Sequence, residues 1–575
     1  MSDHTLVPDP KARFAPWLLE PMLENKQTYF KVAAAAVLIN IFALVTSLFS
    51  MVIYDRVIPN NAMSSLVALS IGFTIVIVFD FLLKMLRSYF VDIAGADIDH
   101  QVGERVFAKL LAIRLDQKRG STGALAGLMR ELESLRDFFA SATMSALVDL
   151  PFLLLTVTVI WAIGGKVVIV LLVIIPIVLL TAWATNPALE RLTARTLREG
   201  LSKQSVLVET IGGLETVKAS GAGPMLSRRW IGAVRQQSES SLRQRLISTI
   251  AITVAGSAST VAYAGVVIVG VNLIAARELT SGGLIACSLL AGRAIAPLAT
   301  ISQLLARLSA TRTAYRQINA MMQQPSEGPE GEPLKLAKLT GKIEFRNVSF
   351  RYPGASEPAL HGVSFTIEPG ERIGLLGRVG SGKSTITRLI LGLYPPTDGL
   401  VMVDGTDLRQ IDPATLRAQV GVAMQDSVLM TGSVRENIGL GRPGIDDTEM
   451  LRAAALSGTH QFMGQIANGY DLKLADRGEG LSGGQRQSIA IARALAGKPQ
   501  MLVFDEPSAS MDAQTEQSLI DRLQDEVQGR TMVLVTHRPP LLQLVQRVIV
   551  MERGKIVMDG PRDKVMQQLT RPKVA

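Results

Sequence analysis

A glycine-rich loop at residues 377–384, with the sequence GRVGSGKS, has the residue types and spacing that bind phosphate groups. The apolar segment 373–376 before it is predicted to be a strand, and a helix is predicted over about 385–393 after it. Glycines let backbone N–H groups surround an anion, and the helix N-terminus adds a positive dipole end. We therefore predict a nucleoside triphosphate site built by Gly377, Arg378, Val379, Gly380, Ser381, Gly382, Lys383, Ser384 and Thr385.

Two polar residues of this loop have distinct predicted tasks. The amine of Lys383 should reach the β- and γ-phosphates of the nucleotide, and the hydroxyl of Ser384 should bind Mg²⁺. A chance glycine-rich turn is the alternative interpretation. The combination of strand, loop, Lys-Ser pair and helix is much more specific than the glycines alone, and it favours the nucleotide site.

A second feature with clear chemistry is the apolar segment 501–504, which ends in Asp505 and Glu506. A buried strand there would place both carboxylates at its C-terminal end. Asp505 would then hold Mg²⁺ through water, and Glu506 would polarise the attacking water as a general base. Solvated carboxylates that cap a strand would give the same pattern, so the prediction depends on the position of the acids downstream of the loop.

The elements that position these residues occupy only part of the chain. The chain has 575 residues, of which 48% are hydrophobic and 19% charged, whereas a soluble domain has about a quarter charged residues. The long uncharged runs lie in roughly the first 310 residues, which indicates a membrane domain followed by a globular one. The single cysteine, Cys287, excludes a disulfide framework and a cysteine-based metal site.

Six apolar stretches in the first part of the chain are long enough to cross a hydrocarbon core of roughly 30 Å as helices. The connections after the first, third and fifth are short, and those after the second and fourth hold nine and ten Lys or Arg. The positive-inside rule therefore places the long connections and both termini in the cytoplasm. It also accounts for much of the net charge of +9, so we predict no nucleic-acid partner. The predicted spans are 32–54, 62–83, 144–163, 167–185, 246–276 and 279–305.

The predicted domain organisation follows from these stretches. Residues 1–31 form a cytoplasmic N-terminal segment without the features of a signal peptide, and 32–322 form the transmembrane domain. Residues 323–340 are rich in Pro, Gly and Glu and are predicted to be a linker. From 341 to 575, predicted strands alternate with helices. The predicted fold class is a multidomain membrane protein, with an all-α six-helix transmembrane domain followed by an α/β P-loop nucleotide-binding domain.

The pentapeptide LSGGQ at 481–485 lies between the loop and the two acids. In this order the three motifs resemble the ATP-binding cassette (ABC) family. The resemblance implies that Ser482, Gly483, Gly484 and Gln485 begin a helix that faces the γ-phosphate held by a second cassette. Because this chain has one cassette, a homodimer with two sandwiched ATPs is implied.

Four further residues match the family by position. Tyr352 resembles the aromatic residue that stacks on adenine, and a tyrosine at a strand edge is the alternative interpretation. Gln425 resembles the glutamine that contacts Mg²⁺ and the attacking water, and His537 resembles the histidine that contacts the γ-phosphate. Asp512 lies in a segment that resembles the loop crossing between cassettes, with Met511 where the family commonly has Leu. The implied catalytic residues are Glu506, His537 and Gln425, and the implied Mg²⁺ ligands are Ser384, Gln425 and Asp505.

Six spans followed by one cassette resemble a half-transporter of the ABC exporter class over nearly the whole chain. The six spans exclude a soluble ABC ATPase of DNA repair or translation. The segments 54–60, 377–384, 477–485 and 505–512 resemble the permease/ATPase of type I protein secretion, in the branch that exports RTX-type adhesins and toxins. That resemblance implies a bacterial inner-membrane exporter that moves unfolded protein with a periplasmic adaptor and an outer-membrane channel. A homodimeric exporter of lipid, drug or small amphiphile is the competing interpretation.

Three features bear on the substrate and its path. Many members of this family carry an N-terminal peptidase or peptidase-like domain, whereas about 31 residues precede the first predicted span here. Together with the position of Cys287, this leads us to expect no thiol protease for leader peptides, and substrates with a C-terminal signal. Arg293 lies in the sixth span, where it either lines the pathway and contacts a polypeptide or marks the cytoplasmic boundary. Pro151, at the start of the third span, is of a type that breaks helices.

Overall fold

A computed structural model describes residues 15–117, 142–329, 331–336, 338–442 and 444–570, together with 125, 127, 129, 132 and 135. The chain divides into two compact units, one of Met1–Leu111 with Arg119–Gln324 and the other of Ala112–Lys118 with Pro325–Ala575. The short segment Ala112–Lys118 belongs to the second unit because its backbone pairs with residues of that unit. The N–H of Glu327 donates to the carbonyl oxygen of Ala112 at 2.6 Å, and Ile113 pairs with Ser326 in an antiparallel bridge.

The first unit is helical. Its longest helices have 50 and 53 residues, or about 75–80 Å at 1.5 Å per residue. They therefore continue well beyond a hydrocarbon core of about 30 Å. Within the described ranges, its α-helices of more than three residues are α1 Pro16–Glu24, α2 Lys26–Val52, α3 Met63–Ala112, α4 Ala142–Gly164, α5 Val168–Gly212, α6 Leu214–Ala219, α7 Gly223–Ala275 and α8 Ser281–Met322.

Four continuous helical stretches within the described ranges are long and apolar enough to cross a membrane, namely Lys26–Asn60, Met63–Ala112, Pro151–Gly212 and Gly223–Ala275. The third stretch contains part of α4 and all of α5, which the turn Gly165–Val167 joins. A shorter apolar segment, Ser281–Ala296, begins α8. The α4 helix continues through Pro151, so this proline does not break it. A proline removes one backbone hydrogen bond, and helices in membranes tolerate that loss.

Small residues let the helices of the first unit pack closely. Ala258 and Ala262 on α7 are buried in one cluster with Leu171 on α5. An added Cβ at Gly265 would lie 2.8 Å from Cγ1 of Val170, so the two helices approach too closely for a larger residue. Close backbone approach through small residues is a common way for membrane helices to associate.

A π-helical turn, Ile53–Val57, follows α2 and carries Asp55 to the start of α8. Oδ2 of Asp55 accepts a hydrogen bond from Thr280 Oγ1 at 2.6 Å, and Oδ1 accepts one from the N–H of Gly282 at 2.8 Å. The carboxylate thus satisfies an N–H group at the positive end of α8. An added Cβ at Gly282 would lie 2.5 Å from the carbonyl oxygen of Met51, so glycine is required there.

The second unit is built on two main sheets. The larger has six strands in the order β12-β11-β3-β10-β9-β6, which are parallel except for β12, and the smaller is antiparallel in the order β2-β1-β4-β5. The strands are β1 Ile343–Phe350, β2 Leu360–Ile367, β3 Arg372–Gly377, β4 Asp398–Val403, β5 Thr406–Asp407, β6 Val420–Ala423, β7 Gly432–Ser433, β8 Lys473–Leu474, β9 Met501–Asp505, β10 Thr531–Val535, β11 Arg547–Glu552 and β12 Lys555–Pro561.

The central strands of the larger sheet position the chemistry. β9 and β10 are buried along their whole length, which accounts for their continuous apolar sequences. Because β3, β10 and β9 are parallel neighbours, their C-terminal ends meet at one edge of the sheet. The helices of this unit are α9 Lys383–Ile390, α10 Pro413–Ala418, α11 Val434–Ile438, α12 Asp447–Ser457, α13 Thr459–Met463, α14 Gly483–Leu495, α15 Ala513–Glu526 and α16 Arg562–Thr570.

Candidate nucleotide-binding site

The glycine-rich loop connects β3 to α9 and turns at glycines with positive φ. Gly380 (φ 80°) and Gly382 (φ 100°) adopt conformations that residues with side chains rarely take. An added Cβ at Gly382 would also lie 2.7 Å from the carbonyl oxygen of Ala359. Val379 at the tip is 93% exposed, whereas Oγ of Ser381 is buried and has no hydrogen-bond partner within the described part of the chain. The loop therefore forms a backbone cradle at a helix N-terminus, as anion-binding sites do.

Lys383 is the first residue of α9 and is buried under the loop. Its Nζ donates to the carbonyl oxygens of Gly377 at 2.9 Å and Arg378 at 3.0 Å. Burial lowers the pKa of Lys383, while the carboxylates of Glu506 and Asp505 favour its charged form. The ammonium group is therefore held at the cradle by backbone oxygens, where the oxygen atoms of a phosphate can take over those contacts.

The hydroxyl of Ser384 is hydrogen-bonded to the carboxylate of Asp505. Asp505 is 1% exposed, and its Oδ1 has no hydrogen-bond partner among the residues that the structure describes. Burial raises the pKa of Asp505, while the bond from Ser384 and the cations Arg388 and Lys383 oppose that shift. A buried carboxylate oxygen that lacks a partner beside a hydroxyl suits a hard cation such as Mg²⁺.

Glu506 and His537 follow neighbouring strands, β9 and β10. Nε2 of His537 lies 3.2 Å from Oε1 of Glu506. The Glu506 side chain is 15% exposed and the His537 side chain is 44% exposed, so the pair extends from the buried sheet edge towards solvent. Because the two residues are 31 positions apart in sequence, only the parallel pairing of their strands brings them together.

The signature segment begins α14. Oγ of Ser482 accepts a hydrogen bond from the N–H of Gln485 at 3.2 Å, and Oε1 of Gln485 accepts one from the N–H of Ser482 at 2.8 Å. An added Cβ at Gly483 would lie 3.1 Å from Cβ of Ser510, and one at Gly484 would lie 3.1 Å from the Ser510 carbonyl oxygen. The two glycines therefore leave room for the loop after β9 to pack against the N-terminus of the helix.

For three predicted site residues, the structure shows surroundings other than the nucleotide or Mg²⁺ contacts that the sequence predicted for them. The hydroxyl of Tyr352 lies 3.2 Å from Thr385 Oγ1 and accepts a hydrogen bond from Nη1 of Arg388 at 2.8 Å. Asp512 caps α15, where its Oδ1 accepts a hydrogen bond from a backbone N–H at 2.9 Å. Gln425 is exposed, two residues beyond the end of β6. Adenine stacking by Tyr352, a nucleotide contact by Asp512 and a Mg²⁺ contact by Gln425 stay predictions.

Three residues that contact the site were not predicted from the sequence. Gln487 on α14 donates to the carbonyl oxygen of Glu506 at 2.7 Å. Arg388 contacts the tyrosine predicted to stack on adenine, and Arg538 donates to the carbonyl oxygen of Met511 at 3.0 Å. The only sequence signal for such residues is a polar side chain on the buried side of an element, because their partners are distant in the chain.

Family models match most of the chain. The model described as ABC transporter matches residues 360–509, and the model described as ABC transporter transmembrane region matches residues 29–298. The chain belongs to the ABC transporter family. Its nucleotide-binding unit is therefore an ATPase, and its helical unit is the transmembrane region of the transporter.

Similar proteins extend over nearly the whole chain. The leukotoxin translocation ATP-binding protein LktB of a Pasteurella haemolytica-like species (strain 5943B) is 33% identical over 557 residues, which are 96% of this chain and 78% of the relative. The toxin RTX-I translocation ATP-binding protein of Actinobacillus pleuropneumoniae is 32% identical over 551 residues. A bacterial Atm1-family ABC exporter with ATP bound shares the fold, with a TM-score of 0.83, 22% identity and coverage of 97% of this chain and 99% of that one.

These matches decide several of the predictions from the sequence. The predicted fold class, a helical transmembrane domain followed by an α/β nucleotide-binding domain, is confirmed. The prediction of an ATP-driven ABC transporter is confirmed as well. The roles of individual residues at the nucleotide site stay predictions.

Proposed function

We propose that this chain is the permease/ATPase of a type I secretion system, which moves unfolded protein out of the cytosol. The observation that carries the proposal is the near full-length similarity of this ABC transporter to proteins named for toxin translocation, at 32–33% identity. A homodimeric exporter of lipid, drug or small amphiphile is the alternative that the experiment below must exclude.

The geometry supports a division of tasks among the residues of the ATP site. Lys383 and the N–H groups of the loop bind the phosphates. Glu506 accepts a proton from the attacking water, and His537 holds Oε1 of Glu506 by the 3.2 Å contact. Tyr352 turns from its present hydroxyl contacts to stack on adenine, and the remaining loop residues, Arg378 to Thr385, surround the phosphates.

Mg²⁺ fits the residues at the sheet edge. The oxygen atoms of Asp505 and Ser384 are the ligand type that Mg²⁺ prefers, and Oδ1 of Asp505 lacks any other partner among the described residues. We assign the amide oxygen of Gln425 as a further ligand. When bound, Mg²⁺ supplies positive charge that neutralises the phosphate oxygens.

The signature helix supports a homodimer. Ser482 is exposed at the N-terminus of α14, and its capping box leaves other N–H groups of the first turn without partners inside the helix. We propose that Ser482, Gly483, Gly484 and Gln485 bind the γ-phosphate of ATP held by a second copy of the chain, with Asp512 at the same interface. Two such sites then form per dimer, and a monomer should not hydrolyse ATP.

We place the transporter in the bacterial inner membrane, with both termini and the ATPase unit in the cytoplasm. The basic connections 84–142 and 186–245 support this orientation. The proposed domain boundaries are those predicted from the sequence. The proposed partners are a periplasmic adaptor and an outer-membrane channel, which receive the protein substrate.

The test uses the full-length homodimer in lipid nanodiscs and measures its ATPase rate. The C-terminal segment of a candidate secreted protein is added, with a scrambled segment as the control. We expect stimulation by the native segment alone, and none in a Glu506→Gln variant. Stimulation by lipids or small amphiphiles, with no response to the segment, would favour the alternative and overturn the secretion proposal.

A further inference from the structure

Glu506 has a strained backbone that three hydrogen bonds hold in place, one of them from the N–H of Ala509 to the Glu506 carbonyl oxygen at 3.2 Å. Its φ of 54° lies in the left-handed region, which persists for a residue with a side chain only where the surroundings fix it. Its N–H donates to the carbonyl oxygen of Val535 on β10 at 2.9 Å, and its carbonyl oxygen accepts from Nε2 of Gln487 at 2.7 Å. The bond to Val535 comes from a neighbouring strand and the bond from Ala509 comes from the loop after β9, whereas the bond from Gln487 comes from one side chain on the signature helix.

The other end of the Gln487 amide is also engaged. Oε1 of Gln487 accepts a hydrogen bond from the N–H of Ser510 at 2.9 Å, and the residue is 9% exposed. A carbonyl oxygen can only accept and a backbone N–H can only donate, so the two partners determine the orientation of the amide. Ser510 in turn packs against Gly483 and Gly484 at the start of α14.

We propose that Gln487 is a positioning residue for ATP hydrolysis, which sets the place of Glu506 and couples it to the signature helix. The proposal rests on the catalytic role proposed for Glu506 and on the proposed homodimer. In that dimer, the N-terminus of α14 contacts the ATP of the partner, while Glu506 acts on the ATP of its own chain. One amide therefore connects the two ATP sites, and binding at one site adjusts the catalytic carboxylate of the other.

Two substitutions of Gln487 test the hydrogen bonds at the two ends of its amide. Gln487→Glu keeps an oxygen that can accept from the Ser510 N–H but, when ionised, places a carboxylate oxygen against the Glu506 carbonyl oxygen. Gln487→Met has a similar length and removes both hydrogen bonds. We expect both variants to lower kcat at least tenfold while KM for ATP changes less than twofold. We also expect Gln487→Met to lower the Hill coefficient for ATP towards 1.

Gln419 offers a matched control. It is another partly buried glutamine that uses both ends of its amide, with Oε1 accepting from the Leu339 N–H at 2.8 Å and Nε2 donating to the Leu336 carbonyl oxygen at 3.1 Å. Gln419→Met should lower the melting temperature about as much as Gln487→Met does, with kcat and the Hill coefficient unchanged. ATPase rates, ATP binding and melting temperatures are measured on the full-length dimer in nanodiscs.

The outcomes distinguish this inference from the proposed function. Loss of kcat in the Gln487 variants, with ATP binding kept and the Gln419 control active, supports the positioning role. Unchanged kcat in both Gln487 variants, or an equal loss in Gln419→Met, overturns it. Undiminished hydrolysis in Glu506→Gln overturns the catalytic assignment instead. If Gln487→Met cannot be obtained as a folded dimer, the kcat of Gln487→Glu decides the question.

Discussion

The two units of this transporter place their polar groups in different ways. In the ATPase unit, Lys383, Asp505 and Glu506 meet at one sheet edge, where hydrogen bonds from loops and a helix hold them. In the helical unit, small residues pack helix against helix, and Asp55 and Arg293 bind backbone groups of neighbouring helices. Asp55 accepts from the N–H of Gly282 at 2.8 Å, and Arg293 donates to the carbonyl oxygen of Ala43.

This difference follows from what each unit must do. Hydrolysis requires a few atoms to stay within tenths of an ångström of their places, and Glu506, the proposed general base, is held from several sides. Transport requires helices to move relative to one another, and apolar packing allows that more easily than a dense network of hydrogen bonds does. We therefore expect the polar contacts in the helical unit to lie where two helices meet end to end or along the path of the substrate.

The largest effect should come from the ATPase unit. Glu506→Gln keeps the shape of the side chain but cannot accept a proton from water, so we expect kcat to fall by about 100-fold or more, with ATP still bound. The measurement is ATPase activity and ATP binding in nanodiscs. Glu368→Gln is the control. Glu368 is exposed and lies just before β3, at the opposite end of the strands from Glu506. Undiminished ATPase in Glu506→Gln would remove Glu506 from the mechanism.

A second effect should appear at the junction between α2 and α8. Asp55→Ala leaves Thr280 Oγ1 and the Gly282 N–H without their acceptor, which should lower the stability of the protein by about 1–2 kcal/mol. Gly282→Ala should act in the same direction because its Cβ would lie 2.5 Å from the Met51 carbonyl oxygen. The melting temperature of the full-length protein is the measurement.

Gly232→Ala is the control for this junction, since an added Cβ there meets no atom within 4 Å. It should leave the melting temperature unchanged or raise it slightly, because alanine favours helices. Equal melting temperatures for Gly282→Ala and Gly232→Ala would show that the junction does not stabilise the helical unit.

A third, smaller effect should separate transport from hydrolysis. Arg293→Ala removes an exposed guanidinium that binds the carbonyl oxygen of Ala43 on α2. We expect basal ATPase to stay within twofold of wild type and stimulation by substrate to fall severalfold, with Arg293→Lys intermediate because it keeps the charge. Full stimulation and export in Arg293→Ala would contradict a role in the pathway.

The smallest effect should come from a structural carboxylate of the ATPase unit. Glu449 on α12 accepts a hydrogen bond from Arg452 Nη2 at 2.6 Å and another from the Gly497 N–H at 2.9 Å. The hydrogen bond from Arg452 holds the pKa of Glu449 below its usual value of 4.5. Its stabilisation is therefore present above pH 4.5 and is lost as the pH falls through the lowered pKa.

Accordingly, Glu449→Gln should cost about 1 kcal/mol of stability at pH 7, and the difference from wild type should shrink as the pH falls below 4.5. Melting temperatures of both proteins across this range are the measurement, and ATPase activity at pH 7 should be unchanged. A difference in melting temperature that is constant from pH 7 to acid would rule out the carboxylate as its source.

The sequence predicted the fold class, which is confirmed, and the main site residues, whose roles stay predictions, and both predictions were possible because their signals are local. The conformation of the loop 377–384 depends on its own glycines and on the helix that follows it. The length of each apolar run matches the thickness of the hydrocarbon core, so the predicted spans can be read from short stretches of sequence. Pro151 shows where local reasoning is weak. Proline usually breaks a helix in water, but a helix in a membrane tolerates it because neighbouring groups satisfy the freed backbone carbonyl. The α4 helix accordingly continues through Pro151.

The sequence by itself therefore determined the fold class, with a transmembrane domain before a nucleotide-binding domain, and it predicted the phosphate cradle and the two acids. Tertiary structure alone decided that His537 lies 3.2 Å from Glu506, that Gln487 bridges Glu506 and Ser510, and that Asp55 caps α8. The physical reason is that these contacts join residues from separate strands and helices. Their distances depend on strand order and on the packing of whole elements, which no short stretch of sequence contains.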